Sequence, residues 1–314
     1  MPCLLGIDSG LTVTKAVVFD EAGAPLAVAR RRLPQFISEP RHVERDMDEL
    51  WHAAAEAIAE AVSGCGRPPS DIAAVAATAH GDGLYTLDRD RRPLGYGILS
   101  LDSRAGDVAA QWQTDGTAGK ALSRTGQTPH ASAPSSLLAW IRDHEPERFA
   151  RIGHVLACKD WLRFCLTDSL GTDLTEASTS FTAVDSQAYA PDILPIFGLE
   201  ALADALPPAA RPDEIVGAIT VQAARYTGLL AGTPVVAGLH DVTASALGIG
   251  GYGEGVVAIV AGTYSINETV SAAPRIDARW FCRNGLKPGE WNNMSISPAS
   301  AANYDWFLDT LCGS

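Results

Sequence analysis

Leu4-Leu5-Gly6-Ile7-Asp8-Ser9-Gly10 opens the chain, passes through Leu11 to Lys15 and continues as Ala16-Val17-Val18-Phe19. A second stretch follows the same plan: Val256-Val257-Ala258-Ile259-Val260-Ala261-Gly262, then Thr263 to Asn267, then Glu268-Thr269-Val270-Ser271. Aliphatic residues, a glycine and a hydroxyl-rich turn fall in register. Each reads as strand, tight glycine turn, strand. Only the first copy carries an acid, Asp8. The pattern points to two related lobes, each offering a Gly/Thr turn to a shared polyphosphate, with one pole of a metal site at Asp8.

Bulk properties narrow the field. The 314 residues suffice for one large domain or two unequal ones, and 46% hydrophobic content is normal for a globular protein. A formal charge of −13 disfavours nucleic acid and anionic lipid as partners. Six cysteines show no Cys-x-x-Cys pair and no adjacent His, so they read as reduced thiols of a cytoplasmic protein. The N-terminus lacks a basic segment ahead of an apolar core, and no uncharged run approaches the roughly 18 to 20 residues of a membrane span.

Residues 3–33 read as a β-meander. Asp46, with Glu49 three residues on, marks a helix start, and Met47, Leu50, Trp51, Ala54, Ile58, Ala61 and Val62 share one helical face that Gly64 closes. Ile72–Thr78 is a buried strand running into the polar loop Ala79-His80-Gly81-Asp82-Gly83. Leu84–Leu87 and Gly97–Leu101 bracket the charged turn 88–93 as a hairpin. Residues 105–210 read as mainly helical. Residues 232–238 form a strand leading to Asp241 and a helix of small residues, and Gly250-Gly251-Tyr252-Gly253 reads as a hinge. Only about 60 residues follow it, too few for a lobe matching the first, so the chain is expected to be incomplete.

Several residues could carry chemistry. Asp8 at a strand end can hold Mg²⁺ while the turn at Gly10 brings amides to phosphate oxygens. Thr12 and Thr14 add hydroxyl donors and Lys15 a point charge. Asp8 could equally cap its own hairpin. Asp241 stands at a strand end and a helix start, where open α/β sheets place ligands, and an ionised carboxylate there can take a proton from a hydroxyl. It could equally be a helix cap. His80 in its Gly-flanked loop can hydrogen-bond a polyol or simply be solvated. Asp102 and Arg104 could grip vicinal hydroxyls or pair with each other at the surface.

Taken together these residues resemble the FGGY carbohydrate kinase family. The matching pieces are Gly6-Ile7-Asp8-x-Gly10 with Lys15, Ala79-His80-Gly81, Asp102-x-Arg104, Lys159-Asp160-Trp161-Leu162 with Leu166-Thr167, Thr172-Asp173 with Ala177-Ser178, residues 234–238 ending at Asp241, and Gly262-Thr263. The resemblance implies an α/β ribonuclease-H-like, actin-like ATPase fold: a complete sugar-binding lobe over 1–249 and the beginning of a nucleotide-binding lobe over 250–314. It implies ATP and Mg²⁺ as cofactors and a sugar or polyol as substrate, and it leaves room for a homodimer. Asp241 would be the catalytic base and Asp8 would help position Mg²⁺. His80, Gly81, Asp102 and Arg104 would lie near the sugar, and Gly262 and Thr263 at the transferring phosphoryl group.

Departures from the family pattern fall at Ser100 in place of Trp, His240 in place of a small or apolar residue, Val242 in place of Asn, and Tyr264 in place of a small residue. They bear on the substrate more than on the reaction. Residues 297–303 with Trp306 resemble the branch containing L-xylulose, 3-keto-gulonate and erythritol kinases. The adenine-binding Gly-rich motif of the family has no counterpart here. The alternatives to an ATP-dependent sugar kinase are a non-catalytic sugar-binding lobe and an actin-like ATPase.

Overall fold

β1 (Cys3–Ser9) and β2 (Val13–Phe19) pair antiparallel with Asp8 opposite Lys15, and β3 (Pro25–Arg32) extends the meander, in a computed structural model that describes residues 1–261, 265–297 and 300–312. The period of two decides the faces. Cys3, Leu5, Ile7 and Ser9 are buried, while Leu4, Gly6 and Asp8 point to the other side. α1 (Met47–Gly64) covers the buried side. Its first turn is held by the Asp46 carboxylate, which accepts from the Asp48 and Glu49 amides at 2.8 and 2.9 Å. Met47, Leu50, Ala54, Ile58, Ala61 and Val62 face the sheet, and Trp51 is partly covered. Each fully buried Leu or Ile contributes roughly 1.5–3 kcal/mol. The helix ends on Cys65 and the left-handed turn falls at Gly66, just past the expected Gly64.

β4 (Ile72–Ala79) lies parallel to β1. α2 (Cys158–Thr167), β5 (Ile215–Ala218), α3 (Val221–Thr227) and β6 (Pro234–Val236) complete the first layer. The six-stranded sheet runs β5-β6-β4-β1-β2-β3, with β6, β4 and β1 parallel. α1, α2 and α3 pack on one face over a core that includes Leu5, Val75, Trp161 and Leu166. α4 (Asp241–Gly248) follows β6.

The hairpin expected across 84–101 survives only as the bridges Leu84–Ile98 and Leu87–Pro93. Tyr85–Leu87 pairs instead with His154–Leu156, and Gly97–Ile98 pairs with Glu44–Arg45. Tyr85, Thr86 and Leu87 are all buried. A two-stranded hairpin would leave one of their faces wet, so covering elements arrive from elsewhere in the chain. The region after it is helical as expected, with Gly106–Thr114, Thr117–Thr125 and Pro134–His144 around Leu137, Leu138, Ile141 and Phe197.

A second sheet, entirely antiparallel, contains β7 (Val257–Ala261), β8 (Ser265–Ser271), β9 (Phe281–Asn284) and β10 (Trp291–Ser297) in the order β7-β8-β10-β9. β7 and β8 are the two strands of the second copy of the opening pattern, with Ala261 opposite Ser265. The turn between them, including Gly262, Thr263 and Tyr264, lies outside the described residues, as do Pro298 and Ala299 of the 297–303 segment. β9 is bonded into the first region. The Cys282 amide donates to the Gly126 carbonyl at 2.9 Å, Gln127 Nε2 donates to the Cys282 carbonyl at 2.9 Å, and the Asn284 side chain reaches the Leu174 carbonyl at 3.1 Å.

Candidate active site

β1, β4 and β6 run parallel side by side, so their carboxyl ends open on the same edge of the sheet. Residues that follow these ends, Gly10, His80, Gly81 and Asp241, line a cleft of about 490 Å³, closed opposite by Ile266, Phe281 and Ile296 of the second sheet. The volume suits a small molecule.

Asp241 is the first residue of α4. Its Oδ1 accepts from the Val242 amide at 2.7 Å and lies 3.1 Å from His240 Nδ1. Its Oδ2 makes no hydrogen bond among the described residues, and the side chain is 36% exposed to the cleft. The surrounding protein pushes this carboxyl up. The hydrogen bonds that His240 and the Val242 amide offer to Oδ1 outweigh that and hold it below the usual carboxylate range. One oxygen is thus pinned and the other is open.

The segment leading to Asp241 is braced from behind. Gly238 takes φ +76, and a Cβ there would stand 2.0 Å from the Ala77 carbonyl of β4, so backbone passes backbone where only glycine fits. Lys159 is fully buried and ion-paired with Asp160 at 2.6 Å and Asp173 at 2.8 Å. The Thr175 hydroxyl donates to Asp173 at 2.6 Å and accepts the His240 amide at 2.9 Å. Glu176, on the same turn, has its carboxyl pushed up to about 8 by burial, against the pull of His240 and Lys159.

In front, Arg283 of β9 is buried and fully engaged. Nη2 donates to Asp82 at 2.9 Å, Nη1 to His240 Nε2 at 2.9 Å, and Nε to Gln127 at 3.2 Å. Asp82 also lies 3.7 Å from His130 and is held below the usual carboxylate range: burial would raise it, and the Arg283 guanidinium, above all, reverses the sign. His80 is buried, with Nε2 3.3 Å from the Tyr85 hydroxyl, and burial plus nearby Arg45 push it down to about 4, so the ring is neutral at physiological pH. Gly81 lines the cleft, yet its side-chain position is taken: a Cβ there would sit 1.7 Å from His240 Nε2.

The remaining candidate residues divide by face. Gly10 and Leu11 line the cleft. Asp8 lies one pleat back on the open side of β1, 43% exposed, paired with Lys15 at 3.1 Å. Thr12 projects from the turn. Thr14, expected as a hydroxyl donor to phosphate, lies away from the cleft. The pleat that exposes Lys15 turns Thr14 inward beside Ala16 and Val18, where it is completely buried. Asp102 and Arg104 are also buried rather than at the surface. Arg104 grips both Asp102 oxygens, bonds Glu44 at 2.7 Å and stacks over Trp140, while Asp102 accepts the Val43 amide at 2.7 Å. This triad stands behind the wall that Ser100 and Leu101 present to the cleft.

Among the described residues no group of three or more His, Cys, Asp or Glu side chains forms a metal cage. Mg²⁺ is commonly held by one or two carboxylates plus waters and substrate phosphates. A half-exposed Asp8 beside a glycine turn fits that mode and would hold the ion through its carboxylate.

Asp82, Gln127, His130, Glu176 and Arg283 join the site without having been assigned a role from sequence. Asp82 sits in the His80 loop and could have been inferred from it. Arg283 comes from a four-residue strand with no pattern of its own.

Residues 3–248 match the FGGY family of carbohydrate kinases, N-terminal domain. The chain is 36% identical over 309 residues to a protein named probable L-xylulose kinase from Pasteurella multocida (strain Pm70), covering 97% of this chain and 64% of that protein. It is 36% identical over 311 residues to the L-xylulose/3-keto-L-gulonate kinase of Escherichia coli (strain K12), covering 96% of this chain and 61% of the relative. The crystal structure of xylulose kinase from Rhodospirillum rubrum superimposes with a TM-score of 0.93 at 27% identity, over 99% of this chain and 64% of that one. The chain therefore spans less than two thirds of these relatives' length.

Proposed function

The chain belongs to the FGGY family of carbohydrate kinases, with the actin-like α/β fold of its N-terminal lobe, and from this premise we propose that it serves ATP-dependent phosphorylation of a sugar or polyol hydroxyl. The observation that carries the proposal is the asymmetry of Asp241: Oδ1 is held by Val242 and His240, and Oδ2 faces the cleft without a partner among the described residues. A hydroxyl seated against Oδ2 gives up its proton there as its oxygen attacks the γ-phosphorus in line, while the bond from that phosphorus to the β,γ-bridging oxygen breaks and ADP leaves. His80, Gly81 and Asp82 seat the polyol. The Gly10 turn approaches the phosphates, with Gly262 and Thr263 proposed for the opposite side. Mg²⁺ beside Asp8, when bound, supplies positive charge for the phosphate oxygens. The names of the relatives favour a ketopentose or a sugar acid, and tetritols complete the class.

The test is a coupled ADP-release screen over ketopentoses, sugar acids and tetritols, run on this chain and on a chain extended to the relatives' length. ADP release that requires a polyol and yields its phosphate is the expected result. ATP turnover indifferent to every polyol would instead identify an ATPase. Calorimetric sugar binding without phosphorylated product from either chain would identify a binding lobe.

A further inference from the structure

Asp241 could have been held by any donor, and the residue that precedes it is a histidine, His240. The geometry around this imidazole constrains it tightly. Arg283 has only donors, so the contact from Nη1 to His240 Nε2 at 2.9 Å requires Nε2 to accept. Nδ1 then carries the proton, and the nearest carboxylate oxygen to it is Asp241 Oδ1, 3.1 Å away. The Val242 amide is 3.4 Å from Nδ1 but 2.7 Å from Oδ1, so it belongs to the carboxylate and leaves Nδ1 free to donate.

The proton balance of the ring is pulled two ways. Burial and Arg283 oppose the imidazolium, while Glu176 and Asp241 favour it, for a net rise to about 9. Glu176 is itself kept protonated by burial near neutral pH, which removes the carboxylate that favours the imidazolium most. A doubly protonated ring would also set N–H against N–H at Arg283. The ring in this arrangement is neutral.

We propose that Arg283 and His240 are positioning residues for the base: the guanidinium, fixed by Asp82 and Gln127, locks the imidazole in the tautomer whose Nδ1–H pins one oxygen of Asp241 and leaves the other for the substrate hydroxyl. The catalytic meaning of this relay rests on the function proposed above. The ring keeps its proton throughout, and the substrate proton goes to Oδ2. Gly81 is part of the device, because any side chain there would displace the ring. The relay also ties the base in the first sheet's edge to β9 of the second sheet, so Asp241 is aligned only while that strand is docked. Besides Arg283, the titratable groups that act on the pair are Glu176, His80, Asp82, Glu268 and, through Glu176, Lys159.

The decisive experiment is nitrogen NMR of the full chain labelled in its seven histidines, with His240 assigned by its loss in His240→Asn. The proposal expects a neutral ring at neutral pH, protonated on Nδ1, with Nε2 an acceptor. A proton on Nε2, or on both nitrogens, overturns it. In parallel, the Asp241 carboxyl is followed by its own carbon resonance. His240→Leu moves its titration up into the ordinary carboxylate range. His240→Asn, which keeps a donor where Nδ1 stood, reverses most of that shift, and Gly81→Ala reproduces the Leu result. An Asp241 titration identical in all four proteins also overturns the relay. In the extended chain, His240→Leu lowers turnover about 10²-fold, the cost of a misaligned group, with a smaller change in sugar KM. Absence of turnover by the unmutated extended chain with every polyol counts against the proposed function alone, since both resonance measurements still decide the relay.

Discussion

Two buried ionic clusters press on the segment that delivers Asp241, one from each side. The rear cluster, Lys159 with Asp160 and Asp173, draws on residues close in sequence and touches no cleft-facing atom of the base. The front cluster, Arg283 with Asp82, Gln127 and His240, gathers residues from four separate parts of the chain. The rear cluster grips backbone, through Thr175 and the His240 amide, and so fixes where the segment lies. The front cluster grips side chains and so fixes how the carboxylate is turned and protonated. Position and orientation of one functional group are supplied by different residues, and they should fail separately.

The sharpest break comes at the point where the two clusters converge. In the extended chain, Asp241→Asn is expected to lower turnover by about 10²- to 10⁴-fold, the usual contribution of a positioned base, while calorimetry still finds sugar binding. Near-normal turnover would dissociate both clusters from the chemistry. Removing the rear cation should instead cost stability. Lys159→Met leaves Asp160 and Asp173 buried without their partner and is expected to lose about 3–5 kcal/mol in chemical denaturation. A loss confined to activity would mean that the rear cluster does more than brace.

Glu176 sharpens the comparison through pH. Its folded carboxyl lies at about 8 against an ordinary 4.5, so the folded state binds the extra proton. Its contribution to stability is therefore full below pH 4.5 and is lost as pH rises toward 8. Glu176→Gln should flatten that slope, gaining up to a few kcal/mol over the unmutated chain on the alkaline side and little at acid pH. Parallel stability curves for the two proteins would contradict the assignment. The smallest effect is expected at Thr14. Its hydroxyl is buried without a hydrogen-bond partner among the described residues, so Thr14→Val should leave turnover unchanged and stability equal or slightly higher, within about 1 kcal/mol.

What could be read from the sequence follows the same division. The opening hairpin, α1 and its Asp46 cap, β4 and the strand-to-helix step at Asp241 all announce themselves through local period and capping chemistry. The rear cluster lies within the motif pieces at 159–162 and 172–173 that the sequence displays, although its bracing role is not legible there. The burial of Thr14 is not legible, because a Thr-rich turn does not say which hydroxyl the pleat turns inward. The hairpin at 84–101 failed because Tyr85, Thr86 and Leu87 need cover on both faces, and its source is a strand at 154–156. Arg283 was invisible for a related reason. Its partners at 82, 127 and 240 are specified by how β9 docks, and nothing in a four-residue strand encodes that docking locally.

A crystal structure with a bound polyol tests the central claim most directly. The account predicts a substrate hydroxyl roughly 2.6–3.2 Å from Asp241 Oδ2, inside the cleft between the Gly10 turn, His80 and Phe281, with Oδ1 still facing His240. A sugar seated elsewhere, or one whose hydroxyls all stand away from Asp241, would contradict it.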